Sequence, residues 1–119
     1  MSDIVIHDTN SEFVYKWQSQ VKKGTLAFIL LNVLKANELY GYELMEQVKK
    51  ITDIEIAEGT LYPLMNRLKK EGLVKSKWVE QESGIPRKYY KLTNMGTEAL
   101  IEMVIYWQNL QLSIKKVTR

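Results

Sequence analysis

Apolar residues recur along most of the chain at helical spacing. Phe13, Trp17 and Val21 stand four apart and predict a short amphipathic helix over Ser11–Lys22, preceded by a flexible arm over residues 1–10. Leu26, Ile29, Leu30, Val33 and Leu34 follow at i, i+3, i+4, i+7 and i+8, which predicts a helix over Thr25–Ala36. Turn residues from Asn37 to Gly41 interrupt the pattern, and Leu44, Val48 and Ile51 resume it over Tyr42–Ile51. The alternation Ile54–Ile56 predicts a very short strand. A third helical stretch over Glu58–Glu71 then closes on Gly72 as its C′ residue.

Past Gly72 the period shortens to two. Val74, Ser76 and Trp78 fall on one side, Lys75, Lys77 and Val79 on the other. After a polar turn over Gln81–Pro86, Arg87, Tyr89 and Lys91 alternate with Lys88, Tyr90 and Leu92. The pattern predicts a hairpin with a basic, aromatic arm. Thr93 or Asn94 then caps a long last helix. In it Leu100, Met103, Trp107, Leu110, Ile114 and Val117 are spaced 3, 4, 3, 4 and 3, as in a coiled-coil seam, and form the expected dimer interface. Trp17 and Trp78 are expected in the core. Three helices followed by a twisted hairpin make a winged helix-turn-helix. The expected fold class is therefore α+β, mostly helical, with a two-stranded wing. Its parts are the arm 1–10, a DNA-binding domain 11–93 and a C-terminal dimerisation helix 94–119.

Composition narrows the function. With 119 residues, 45% of them hydrophobic, the chain suits one small soluble domain whose core forms without staples. No Cys is present, so there is no disulfide framework or thiolate metal site. The longest apolar stretch, Leu26–Leu34, is far short of the roughly 20 residues of a membrane span. Asp3, His7 and Asp8 stand where a signal peptide has a basic start. A cytoplasmic protein without a membrane partner is expected. His7, the single His, leaves zinc catalysis and a His-based triad without residues, so no catalytic group, metal ligand or cofactor is expected. Glu98 and Glu102 share a helix face, but no basic or nucleophilic companion stands with them.

Charge is uneven. Glu58–Lys91 holds eight basic and four acidic residues, a net +4, while the remaining residues sum to −1. A polyanionic partner suits such a segment. On the helix within it, Leu61, Leu64, Met65 and Leu68 share one face, and Gly59, Tyr62, Pro63, Asn66, Arg67 and Lys70 fall on the other. Asn and Arg pair bidentately with adenine and guanine edges, Lys contacts phosphate, and Tyr offers a hydroxyl and a ring for a thymine methyl. This face is the expected reading head. Lys69, Lys75 and Lys77 beside it supply general electrostatics.

The segments YGYELMEQVKK, EGTLYPLMNRLKKEGLVKSKW and PRKYYKLTNMG resemble the PadR family of bacterial winged-helix transcriptional regulators. The resemblance is close over Gly24–Gly96 and looser in the last helix; the short C-terminal part is similar to the smaller of the family's two size classes. It implies a homodimeric repressor that binds a palindromic double-stranded DNA operator, and in many members is released by phenolic or lipophilic aromatic compounds. The DNA-contacting set is then Tyr40, Tyr42, Gly59, Thr60, Tyr62, Pro63, Asn66, Arg67, Lys70, Arg87 and Lys88. One of Tyr40 and Tyr42 donates to phosphate while the other packs against the hairpin. Arg87 reaches DNA or pairs across the turn with Glu82.

Trp107 has two readings. In drug-sensing members a Trp at the matching place stacks on flat ligands at the dimer centre, which makes Trp107, Phe28 and Met103 the expected site for a planar aromatic or phenolic effector. Otherwise it is an interface aromatic, and Phe28, Met103 and Tyr106 fill the space, giving a ligand-independent regulator. A winged helix whose basic hairpin meets an acidic protein is the other alternative, but it leaves Asn66 and Arg67 without purpose.

Overall fold

Helix α1 (Asp3–Val33) runs unbroken through the two stretches expected as separate helices. A lone glycine, Gly24, costs a helix only about 1 kcal/mol. Burial of Leu26, Leu30 and Leu31 on the same helix outweighs that cost. The computed structural model describes residues 3–119, with side chains from Ser11 onward. Met1 and Ser2, part of the expected arm, lie outside the described residues, and α1 begins within that arm at Asp3.

Strand β1 (Leu39–Tyr40) follows, then helices α2 (Gly41–Thr52) and α3 (Glu58–Lys70), strands β2 (Val74–Val79) and β3 (Arg87–Leu92), and helix α4 (Asn94–Thr118). The sheet is antiparallel in the order β1-β3-β2. The β2–β3 hairpin is the expected wing, in register from Val74 opposite Leu92 to Val79 opposite Arg87. The third strand is a difference from expectation: Leu39 and Tyr40 pair with Tyr90 and Tyr89. A two-residue strand has no periodicity to read, and only its partner identifies it. Conversely, Ile54–Ile56 forms no strand. It links α2 to α3, pinned by Lys49 Nζ donating to Glu55 Oε1 at 2.8 Å.

The helices pack on one face of the sheet around Leu30, Leu31, Leu44, Val48, Leu61, Met65, Val74 and Tyr90. Leu100 joins this core at 3% exposure, so the head of the expected dimer seam is interior to the chain itself. Trp17 and Trp78, expected in the core, are 56% and 66% exposed. For Trp78 the reason is the twist and length of the hairpin, which carries its outer half beyond the helices although Val74 on the same side is buried.

Two caps set the junction that carries the wing. At the end of α3, Gly72 (φ +81°) donates to Lys69 O and Leu73 N to Leu68 O, both at 3.0 Å, a Schellman closure that turns the chain into β2. At the start of α4, Thr93 Oγ1 accepts from Gly96 N at 2.9 Å and itself donates to Gly72 O, tying both helix ends together. Among the described residues, no helix is long and apolar enough to cross a membrane.

Candidate nucleic-acid interface

The face of α3 opposite Leu61, Met65 and Leu68 is solvent-exposed at Gly59, Thr60, Tyr62, Pro63, Asn66, Arg67 and Lys70. Pro63 lies inside the helix and brings no N–H, so the carbonyl of Gly59, four residues back, keeps its acceptor for water or a ligand. Arg67 Nε lies 3.6 Å from Glu71 Oε2 with both side chains mostly exposed, a solvated and readily exchanged pair.

The wing and the start of α2 continue this surface. A cleft of about 490 Å³ gathers Tyr40, Tyr42, Tyr62, Asn66, Arg87 and Lys88, with Trp78 and Tyr90 in its wall. The Arg87 guanidinium stands 4.4 Å from the centre of the Tyr40 ring, and the Lys88 ammonium 5.7 Å from that of Trp78. The expected alternative partner of Arg87, Glu82, is replaced by this stacking: among the described residues Arg87 has no carboxylate within salt-bridge distance. The Tyr40 ring also meets Tyr89 edge-on at 5.4 Å and stacks on Tyr42 at 6.5 Å. Tyr42 is 56% exposed and Tyr40 is half-buried against the wing.

Tyr62 departs from its expected pose. A side chain at Gly41 would begin where the Tyr62 hydroxyl lies and 2.8 Å from its ring carbon Cζ, so the ring is laid across the start of α2 rather than projected outward. Burial, and next the nearby Glu58 carboxylate, push its phenol above the usual tyrosine range. Burial, followed by Tyr62, does the same to Tyr90. Both phenols therefore stay neutral and able to donate at physiological pH.

Lys75, Lys77 and Lys91 sit apart from this cleft. Their register places them on the sheet face turned away from the helices, where Lys77 Nζ meets Glu38 Oε2 at 3.5 Å. Gly41, Trp78, Pro86 and Tyr90 join the cleft although the expected contact set omits them, and Tyr89 touches it only through the Tyr40 ring. The signal for Gly41 was its place between two tyrosines; Trp78 gave none, since its side of the strand reads as buried.

A second surface lies between α1 and α4. Trp107 packs on Phe28 of the same chain, ring centres 5.8 Å apart at 40°, above an apolar groove of about 1010 Å³ that Trp17, Met103, Tyr106 and Ile114 also line. The expected ligand trio Trp107, Phe28 and Met103 is thus brought together within one chain, and the groove beside it is open. The six seam residues separate: Leu100 is buried, Met103, Trp107 and Leu110 are half-buried, Ile114 and Val117 are exposed.

Residues 30–102 match the family described as the transcriptional regulator PadR-like family. A PadR-family transcriptional regulator from Eggerthella lenta superposes with a TM-score of 0.82 at 34% identity, over 92% of this chain and 95% of that one. A PadR-like transcriptional regulator from Bacillus cereus does so with a TM-score of 0.76 at 32% identity, over 84% and 97%. An uncharacterised protein of Lysinibacillus sphaericus is 30% identical over 96 residues, 79% of this chain and 88% of its own length.

Proposed function

From the premise that the chain belongs to the PadR-like family of transcriptional regulators, and is no enzyme, we propose that it binds a palindromic double-stranded DNA operator as a homodimer and acts as a repressor. One observation carries this reading. Asn66 and Tyr62 of α3 line one cleft with Tyr40, Tyr42 and the wing cations Arg87 and Lys88, and Arg67 and Lys70 lie exposed on the same helix, so groups for base edges and groups for phosphates stand on adjoining surfaces. The third helix enters the major groove, and Arg87, held on Tyr40, meets the flanking backbone.

Contacts to bases and to phosphates separate by their response to salt. Arg67→Ala is expected to weaken binding of the preferred duplex by about 1–3 kcal/mol and to relax base preference. Lys70→Ala should weaken all sequences alike and lower the salt slope by about one. Titrations at several salt concentrations against DNA from upstream of the protein's own gene check both. If neither substitution changes binding there, the reading head is not α3.

The groove beside Trp107 supports release by a planar aromatic or phenolic effector, which loosens the operator complex to the extent that it prefers the arrangement incompetent for DNA. Such a compound is expected to quench tryptophan fluorescence at micromolar concentration, and Trp107→Ala to abolish both quenching and release while DNA binding persists. Quenching that survives in Trp107→Ala assigns the signal to Trp17 or Trp78. No response to any flat cation or phenolic acid leaves a regulator that works without ligand.

A further inference from the structure

Gly41 is the first residue of α2, a position that takes most side chains unless something forbids one. Backbone conformation is not the obstacle: among the described residues the glycines with positive φ are Gly72 and Gly84. What forbids it is Tyr62, whose hydroxyl fills the place of a Cβ at position 41 and whose Cζ and Cε1 would lie 2.8 and 2.9 Å from it. Tyr90 of the wing, 1% exposed, lines the same cleft as Tyr62. Next in the chain, Tyr40 carries Arg87 on its face. A packed path thus runs from α3 through Tyr62 and the Tyr40–Gly41 peptide to the wing.

We propose that Tyr62 is a positioning residue: its ring, lodged over Gly41, fixes the angle of α3 relative to the Tyr40–Arg87 edge of the wing, so that both surfaces meet one duplex in a single register. This role rests on the DNA-binding reading above. It assigns to the ring of Tyr62 a task inside the protein, and leaves base readout to Asn66 and Arg67, one and a little more than one helical turn further along the same exposed face.

A size swap tests it, using a duplex that the wild-type protein selects from a random pool and a scrambled duplex of equal length. Gly41→Ala is expected to lower affinity for the selected duplex at least tenfold, with the scrambled duplex within twofold and the salt slope unchanged, because the phosphate contacts remain. Tyr62→Phe alone should cost no more than about threefold. The double variant Gly41→Ala with Tyr62→Phe should recover part of the loss, since the nearest clashing atom, the hydroxyl, is gone and the ring, whose Cζ and Cε1 still stand 2.8 and 2.9 Å from the new methyl, has less far to move. Tyr62→Ala, which leaves the α2 backbone untouched, should reproduce the selective loss even where Gly41→Ala fails to fold.

Two results overturn the role: a double variant whose loss is the product of the single losses, or a Tyr62→Phe variant that alone matches Gly41→Ala and lowers the salt slope, which would put the hydroxyl on DNA. Thermal unfolding of the same four proteins without DNA reads the Tyr62–Gly41 contact independently. A wild-type protein that selects no duplex overturns the DNA reading and this role with it, while a coupled thermal cycle still shows the two residues packed.

Discussion

Replacing Ile114 and Val117 together with Glu is expected to give a folded monomer that binds the operator about 100-fold more weakly than the wild-type protein or worse. Both side chains lie on the last two turns of α4, at 50% and 82% exposure and outside the core, so charge there leaves the packing of the domain intact. Ile101, Ile105 and Leu112 are likewise more than half exposed on a neighbouring side of α4, so large apolar side chains cluster in solvent along this helix, as at interaction surfaces. If a second copy covers this surface, the two reading heads are linked, and losing that link costs on the order of 10²-fold or more in avidity. Leu100→Glu is the contrasting variant. At 3% exposure it buries an unpaired charge in the core and should unfold the protein rather than dissociate it. Sedimentation and circular dichroism on both variants separate the outcomes. A wild-type protein that sediments as a monomer at micromolar concentration removes the dimer.

Gly96→Ala is expected to destabilise the fold by about 2–3 kcal/mol, a large share of the roughly 5–15 kcal/mol that holds a domain of this kind together. A Cβ there would meet the Leu73 carbonyl, its oxygen foremost and its carbon at 2.9 Å. That peptide cannot yield, because Leu73 N donates to Leu68 O at 3.0 Å and Leu73 O accepts from Thr93 N at 3.1 Å. The methyl must therefore push α4 off the junction between α3 and β2, the same junction that sets the base of the wing. Gly24→Ala serves as the control. Nothing lies within 4 Å of its Cβ, and in mid-helix it should stabilise by about 0.5–1 kcal/mol. Urea unfolding of the two variants reads both signs, and a Gly96→Ala protein within about 0.5 kcal/mol of wild type would show that the junction gives way easily.

The candidate interface was partly legible. The exposed face of α3 follows from the spacing of Leu61, Met65 and Leu68, because one buried stripe on a helix dictates what remains outside. Arg87 and Lys88 were legible as wing cations but their partners were not: Tyr40 reaches Arg87 only because β1 pairs with β3, a contact between residues some fifty positions apart. The pose of the Tyr62 ring was not legible for the same reason. Helical spacing places its Cβ on the outer face, and only the proximity of Gly41 bends its ring inward.

The sequence by itself determined the elements whose residues repeat often enough to define a period: the body of α1, α2, α3 with its Gly72 stop, the two wing strands and α4 capped by Thr93. It determined too the family and the basic middle third, since motif order and charge are properties of the chain and not of its folding. The tertiary structure decided which of two equally apolar faces is used. Leu100 turned inward while Ile114 and Val117 stayed in solvent, and Val74 was buried while Trp78, four residues along the same side of β2, was not. Periodicity fixes the direction of a side chain relative to its own helix or strand. How far the neighbouring element extends to cover it is a matter of lengths and crossing angles, and those exist only once the elements have packed.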